Sequence, residues 1–193
     1  MRISTTKLLA VFFLFSLSNV AIAHPGHDVS GFSAGLMHPF SGIDHLLAML
    51  AVGLWAAQGG GKKIWLLPAT FMSMLAIGAA IAMRWPSLPL VEAGIATSVL
   101  ALGLLVALSL QLPATLSMAI TALFGLLHGY AHGLELPGSA SPTTYAPGFL
   151  AATATLHLIG IAMGVASRKR HAVIAQALGI VIAVSGVYLL TAA

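Results

Sequence analysis

The sequence predicts an all-α integral membrane protein: a six-transmembrane-helix bundle behind a cleaved N-terminal signal peptide, with a broken or kinked first helix. Three observations predict it. The chain of 193 residues is 59% hydrophobic and only 6% charged, with a mean hydropathy of +1.02, far above that of ordinary soluble domains. Its apolar residues fall into runs long enough to cross roughly 30 Å of hydrocarbon. Its few cations sit in short clusters beside those runs, the positive-inside pattern, so the formal charge of +4 does not call for a nucleic-acid partner.

Arg2 and Lys7 precede the apolar run Leu8 to Val20, which ends in the small-x-small pattern Ala21-Ile22-Ala23. Residues 1–23 therefore read as a signal peptide and 24–193 as a single membrane domain; an uncleaved first helix is the alternative. Cleavage leaves His24-Pro25-Gly26-His27-Asp28 as an outer terminus with a free amine, two imidazoles and a carboxylate. Pro25 removes the amide that a square-planar terminal chelate would use, so His24 and His27 read as an accessory metal collector or as a solvated tail.

Six apolar stretches follow, near residues 36–58, 64–84, 88–110, 114–135, 146–167 and 171–192. Starting outside, the connections Gly59 to Lys63 and Ser167 to His171 fall in the cytoplasm, which leaves Arg84 as the only cation of the mature chain outside. Leader and charge bias agree only when the number of spans is even, and six spans put both mature termini on the periplasmic side of the inner membrane. Of the outer connections, Leu136 to Pro147 is the longest and a candidate lid. Gly160 and Gly164 form a GxxxG, a pattern for close helix packing.

There is no cysteine, so a metal would be held by nitrogen and oxygen. The first span opens with His38-Pro39-Phe40-Ser41-Gly42-Ile43-Asp44-His45, and ionisable groups at such a place read as a binding or transport site. Pro39 breaks any helix through His38. Ser41 and Asp44 have capping-box spacing, which is a structural reading of Asp44. His45, four residues before Met49, faces inward.

The fourth span ends with His128 and His132 at i and i+4, and Glu135 one turn further on; this is how a helix offers two imidazoles to one metal ion. His157 falls about 16 Å below the outer end of its span, near the midplane, as a deep ligand or a packing histidine. Glu92 lies one turn inside the third span, solvated or orienting a ligand imidazole. His171 belongs to the basic cluster beside it. Together His38, Asp44, His45, His128, His132, Glu135 and His157 form a funnel whose imidazole and carboxylate donors suit Ni, Co or Zn better than Cu(I).

These motifs resemble the HupE/UreJ family of nickel and cobalt permeases. The first stands here as His38-Pro39-Phe40-Ser41-Gly42-Ile43-Asp44-His45 and the second as His128-Gly129-Tyr130-Ala131-His132-Gly133-Leu134-Glu135, and the leader and six-helix layout are similar as well. The resemblance implies a secondary permease, not an enzyme, that imports Ni²⁺ or Co²⁺ across the inner membrane, with Zn²⁺ as a surrogate ion. Its partners would be the bilayer, a downstream metallochaperone or metalloenzyme assembly, and copies of itself in a homo-oligomer. The rival readings are an intramembrane metal-dependent enzyme (a Zn hydrolase or an oxygenase) and a haem-binding membrane protein. No nucleotide-binding motif is present, and a negative interior favours divalent-cation import by roughly 4.6 kcal/mol per 100 mV.

Overall fold

The computed structural model describes residues 31–136, 140–170 and 172–192, without the side chains of 168–170. The signal peptide, His24, His27 and His171 lie outside the described residues. Among those residues there is helix and no strand. The elements are α1 (Phe32–Met37), a 3-10 turn (His38–Phe40), α2 (Ile43–Gly59), α3 (Lys63–Ala82), α4 (Val91–Ala107), α5 (Ala114–Leu134), α6 (Pro142–Arg170) and α7 (Ala172–Ala192).

Among the described residues four helices are long and apolar enough to cross a membrane: α3, α5, residues Pro142–Ser167 of α6, and α7. The first helix is broken, as Pro39 suggests: α1 with its 3-10 turn meets α2 at 82°, and the pair taken as one span makes up to five. Pro39 sits in the first turn of the 3-10 segment, where its missing N–H costs nothing. The bend itself falls at Gly42, which turns to an extended conformation and stands at the N-cap of α2.

Two local expectations need correcting here. Ser41 does not cap α2, because it keeps helical dihedrals and continues the 3-10 turn, so its hydroxyl donates back to the His38 carbonyl at 2.6 Å. Asp44 instead accepts the His45 amide at 2.8 Å, which satisfies one of the free donors of the first turn. The expected lid from Leu136 to Pro147 is helical from Pro142 onward, with Pro147 inside α6.

The third expected span, 88–110, is shorter in the structure: α4 has 17 residues. Pro86 and Pro89 lie upstream, Leu90 is left-handed with φ 61, and Ser109 with φ 49 closes the other end.

The helices pack in close pairs, α3 with α5, α4 with α7, and α2 with α6, while α1 lies on α6. Glycine makes each approach possible. A Cβ at Gly129 would overlap the Leu75 carbonyl, one at Gly179 the Ala107 backbone, and one at Gly160 the Leu50 carbonyl, so backbones touch where side chains would hold them apart. Gly164 packs against Ala57 and Leu54 of α2, as its GxxxG suggested. Buried hydroxyls return to their own helices, for example Thr121 to Ser117 O at 2.8 Å and Thr153 to Phe149 O at 2.9 Å, as hydrocarbon surroundings require.

Candidate metal centre

Three pieces of backbone build the site. On α5, Gly125, Gly129 and Gly133 form a stripe against α3, meeting Phe71, Leu75 and Ala79. The residues one step before the second and third glycines, His128 and His132, are turned by about 100° around the helix and point into the bundle. The first turn of α2 supplies Asp44 and His45. The 3-10 turn supplies His38 at the bend.

Glu135, the C-cap of α5, closes the group. His38 Nε2 donates to Glu135 Oε2 at 3.0 Å, and His132 Nδ1 lies 3.4 Å from the same oxygen. One ligand atom from each of these three residues falls within 4.8 Å of the others. The His132 ring is 3.8 Å from that of His45 and 4.8 Å from that of His38. Behind them, His45 Nδ1 lies 2.8 Å from His128 Nδ1, and His128 Nε2 lies 2.7 Å from the Ser98 hydroxyl.

His45 and His132 are each 4% exposed and His128 is fully buried. Beside them is an open cleft lined by His38, Ser41, Gly42, Asp44, His45 and Glu135. Neither His132 nitrogen has a hydrogen-bond partner among the described residues, its contact with Glu135 being too poorly aligned to count as one. The imidazoles, His132 first and His38 second, hold the Glu135 carboxyl well below the usual carboxylate range, against the burial that pushes it up.

The structure thus brings together His38, Asp44, His45, His128, His132 and Glu135. It leaves His157 apart: its ring meets Phe71 at 5.3 Å, and Phe71 in turn meets His128 at 5.6 Å. His157 is 1% exposed with neither nitrogen partnered among the described residues. Among the described residues Glu92 makes no hydrogen bond to an imidazole; it shares a second cleft with Asp44, Ala96, Leu189 and Ala192.

Sequence reasoning missed Ser98, Tyr145 and Phe149. Tyr145 and Phe149 stack at 6.3 Å and wall the site, Tyr145 against His38 at 5.8 Å and Phe149 against His132 at 4.2 Å. Ser98 had one visible signal, a polar side chain inside the apolar run of α4.

A carboxylate at a helix C-terminus meets the negative end of the helix dipole, and here it converges with imidazole nitrogens in a partly dry cleft. Such an arrangement can hold a cation of imidazole and carboxylate preference.

The family model described as HupE / UreJ protein matches residues 11–189. Protein HupE of Rhizobium leguminosarum bv. viciae is 42% identical over 188 residues, covering 96% of this chain and 97% of that protein. No solved structure matches the chain.

Proposed function

The chain belongs to the HupE/UreJ family, and on that premise we propose that it is a secondary permease importing Ni²⁺ or Co²⁺ through the inner membrane. The observation that carries the reading is the convergence of His38, His132 and Glu135 within 4.8 Å beside an open cleft that also presents Asp44 and His45.

In this reading the ion sheds water in the cleft and is taken by His38, His45, His132 and Glu135. Ligation through Nε2 needs His38 to release to water in the open cleft the proton it shares with Glu135 and to carry its proton on Nδ1 instead, since a ligating imidazole nitrogen must be bare. His157 is the deeper step, beyond Phe71, and the bundle rearranges to release the ion inward. The six-span count rests on treating α1 with α2 as one span and α4 as a short one. Residues 1–23 act as a cleaved signal peptide and leave both mature termini in the periplasm. The ion is then passed to a metallochaperone or to metalloenzyme assembly, and His24 and His27 collect scarce metal.

The geometry argues against haem, because rings in contact at 3.8 to 5.0 Å leave no slot for a porphyrin between them. The family supports transport over a hydrolase or oxygenase. Purified protein in liposomes tests the reading: radioactive Ni²⁺ or Co²⁺ should accumulate saturably, faster with a negative interior. His132→Ala should abolish accumulation while the protein stays in the membrane. Tight binding without accumulation would refute transport.

A further inference from the structure

His128 looks in the sequence like a metal ligand, paired with His132 on one face of α5. Its surroundings assign it a different task. Both of its ring nitrogens are engaged, Nδ1 with His45 Nδ1 at 2.8 Å and Nε2 with Ser98 Oγ at 2.7 Å. The Ser98 hydroxyl also donates to the Ile95 carbonyl at 2.7 Å. Ser98 and His128 are fully buried.

The proton order along this chain follows from counting donors. A carbonyl oxygen only accepts, so the single hydroxyl proton of Ser98 goes to Ile95. Were it turned to His128 instead, two oxygens would face each other at 2.7 Å with no proton between them. His128 Nε2 must therefore carry a proton and donate it to Ser98 Oγ. A buried neutral imidazole has one N–H, so His128 Nδ1 is bare and accepts from His45 Nδ1–H. That leaves His45 Nε2 as a bare electron pair. It lies 3.9 Å from Asp44 Oδ1, on a residue that lines the open cleft.

Resting on the permease reading, we propose that Ser98 and His128 are positioning residues: they fix the tautomer and ring orientation of His45 so that its Nε2 is always ready for the incoming ion. The backbone carbonyl of Ile95 sets the direction of the whole relay, and His128 ligates no metal. Partners behind a ligating imidazole raise its basicity and hold its angle, and their loss commonly costs about 10- to 100-fold in metal affinity.

The test uses the full protein labelled with ¹⁵N-histidine, with Zn²⁺ alone as the diamagnetic probe, and Ni²⁺ uptake by wild type, Ser98→Ala and Ser98→Thr. In the metal-free wild type, nitrogen shifts should report a proton on His128 Nε2 and on His45 Nδ1. Zn²⁺ should move His45 Nε2 and leave both His128 nitrogens uncoordinated. Ser98→Ala should raise the KM for Ni²⁺ about tenfold with the maximal rate within about twofold, and Ser98→Thr, which keeps the hydroxyl, should restore the wild-type KM. A coordination shift on a His128 nitrogen, or a proton on His45 Nε2, would overturn the proposal, and the spectrum of the wild type decides this even if Ser98→Ala does not fold. Zn²⁺ that shifts no imidazole would sink the metal site itself, a different failure.

Discussion

His45 and His128 of the cluster and His157 are the same side chain at nearly the same burial, and they are satisfied in opposite ways. In the cluster His38 bonds to Glu135, His45 to His128 and His128 to Ser98, which leaves His132 as the one imidazole there with neither nitrogen partnered among the described residues. His157 has an aromatic neighbour in Phe71 and no hydrogen-bond partner for either nitrogen among the described residues. A buried polar group left unpaired costs about 1–3 kcal/mol, a cost that packing alone gives no reason to keep. The lesson is that the two regions answer to different tests: disturbing the cluster changes both fold and site, whereas removing His157 should change function alone.

The strongest way to break the comparison is Gly129→Val. The cluster exists because α5 lies flush on α3, and a side chain at Gly129 would run into the Leu75 backbone. We expect a loss of about 1–3 kcal/mol of stability in detergent unfolding, together with loss of the metal-binding site on α5. His157 rides on α6, which packs on α2 through Gly160 and Gly53, and its NMR signals should stay in place. Equal disturbance of both would mean that the two regions are not separable.

His157→Leu sharpens it from the other side. Replacing an unpartnered polar group by an apolar one should leave stability within about 1 kcal/mol of wild type or raise it. Uptake should slow by about tenfold or more, if loss of a ligand costs at least what loss of its support does, while Co²⁺ still binds at the outer cleft. Unchanged uptake would reduce His157 to a packing residue.

The smallest effect concerns pH. Because the Glu135 carboxyl is held below its ordinary value by His132 and His38, its pairing stabilises the fold fully above the unfolded value of about 4.3. That contribution is lost as pH falls below it. Melting curves of wild type and Glu135→Gln should therefore differ by a constant margin from neutral pH to about 5 and converge in stronger acid. The margin will be small, since the Glu135 side chain is 46% exposed and solvent screens such pairs. A margin that grew in acid would reverse the sign of the argument.

How much of this was legible in the sequence depends on the reach of each signal. Hydrophobic runs locate helices because burial and hydrocarbon length are local properties, so α3, α5 and α7 begin and end close to where the sequence places them. The i, i+4 spacing put His128 and His132 on one face, but it could not show the contact of His128 with Ser98, which lies 30 residues away. The His38 to Glu135 pair spans 97 residues, and only packing can reveal it. The glycines of the second motif turned out to be structural: they are the stripe that lets α5 approach α3. Ser41 and Asp44 had the letters of a capping box, yet the turn at Gly42 overrode them. Tyr145 was hidden in a stretch whose prolines and glycine suggested loop, although Pro142 stands at the start of a helix, where proline is tolerated.

The claim beneath all of this is that a divalent cation sits where His38, His132 and Glu135 converge. Crystals of the protein grown with Co²⁺ and measured at the cobalt absorption edge test it most directly. An anomalous peak should lie within about 2.0–2.2 Å of the Glu135 carboxylate and of imidazole nitrogens of His38 and His132. A peak elsewhere in the bundle, or none at saturating Co²⁺, would contradict it.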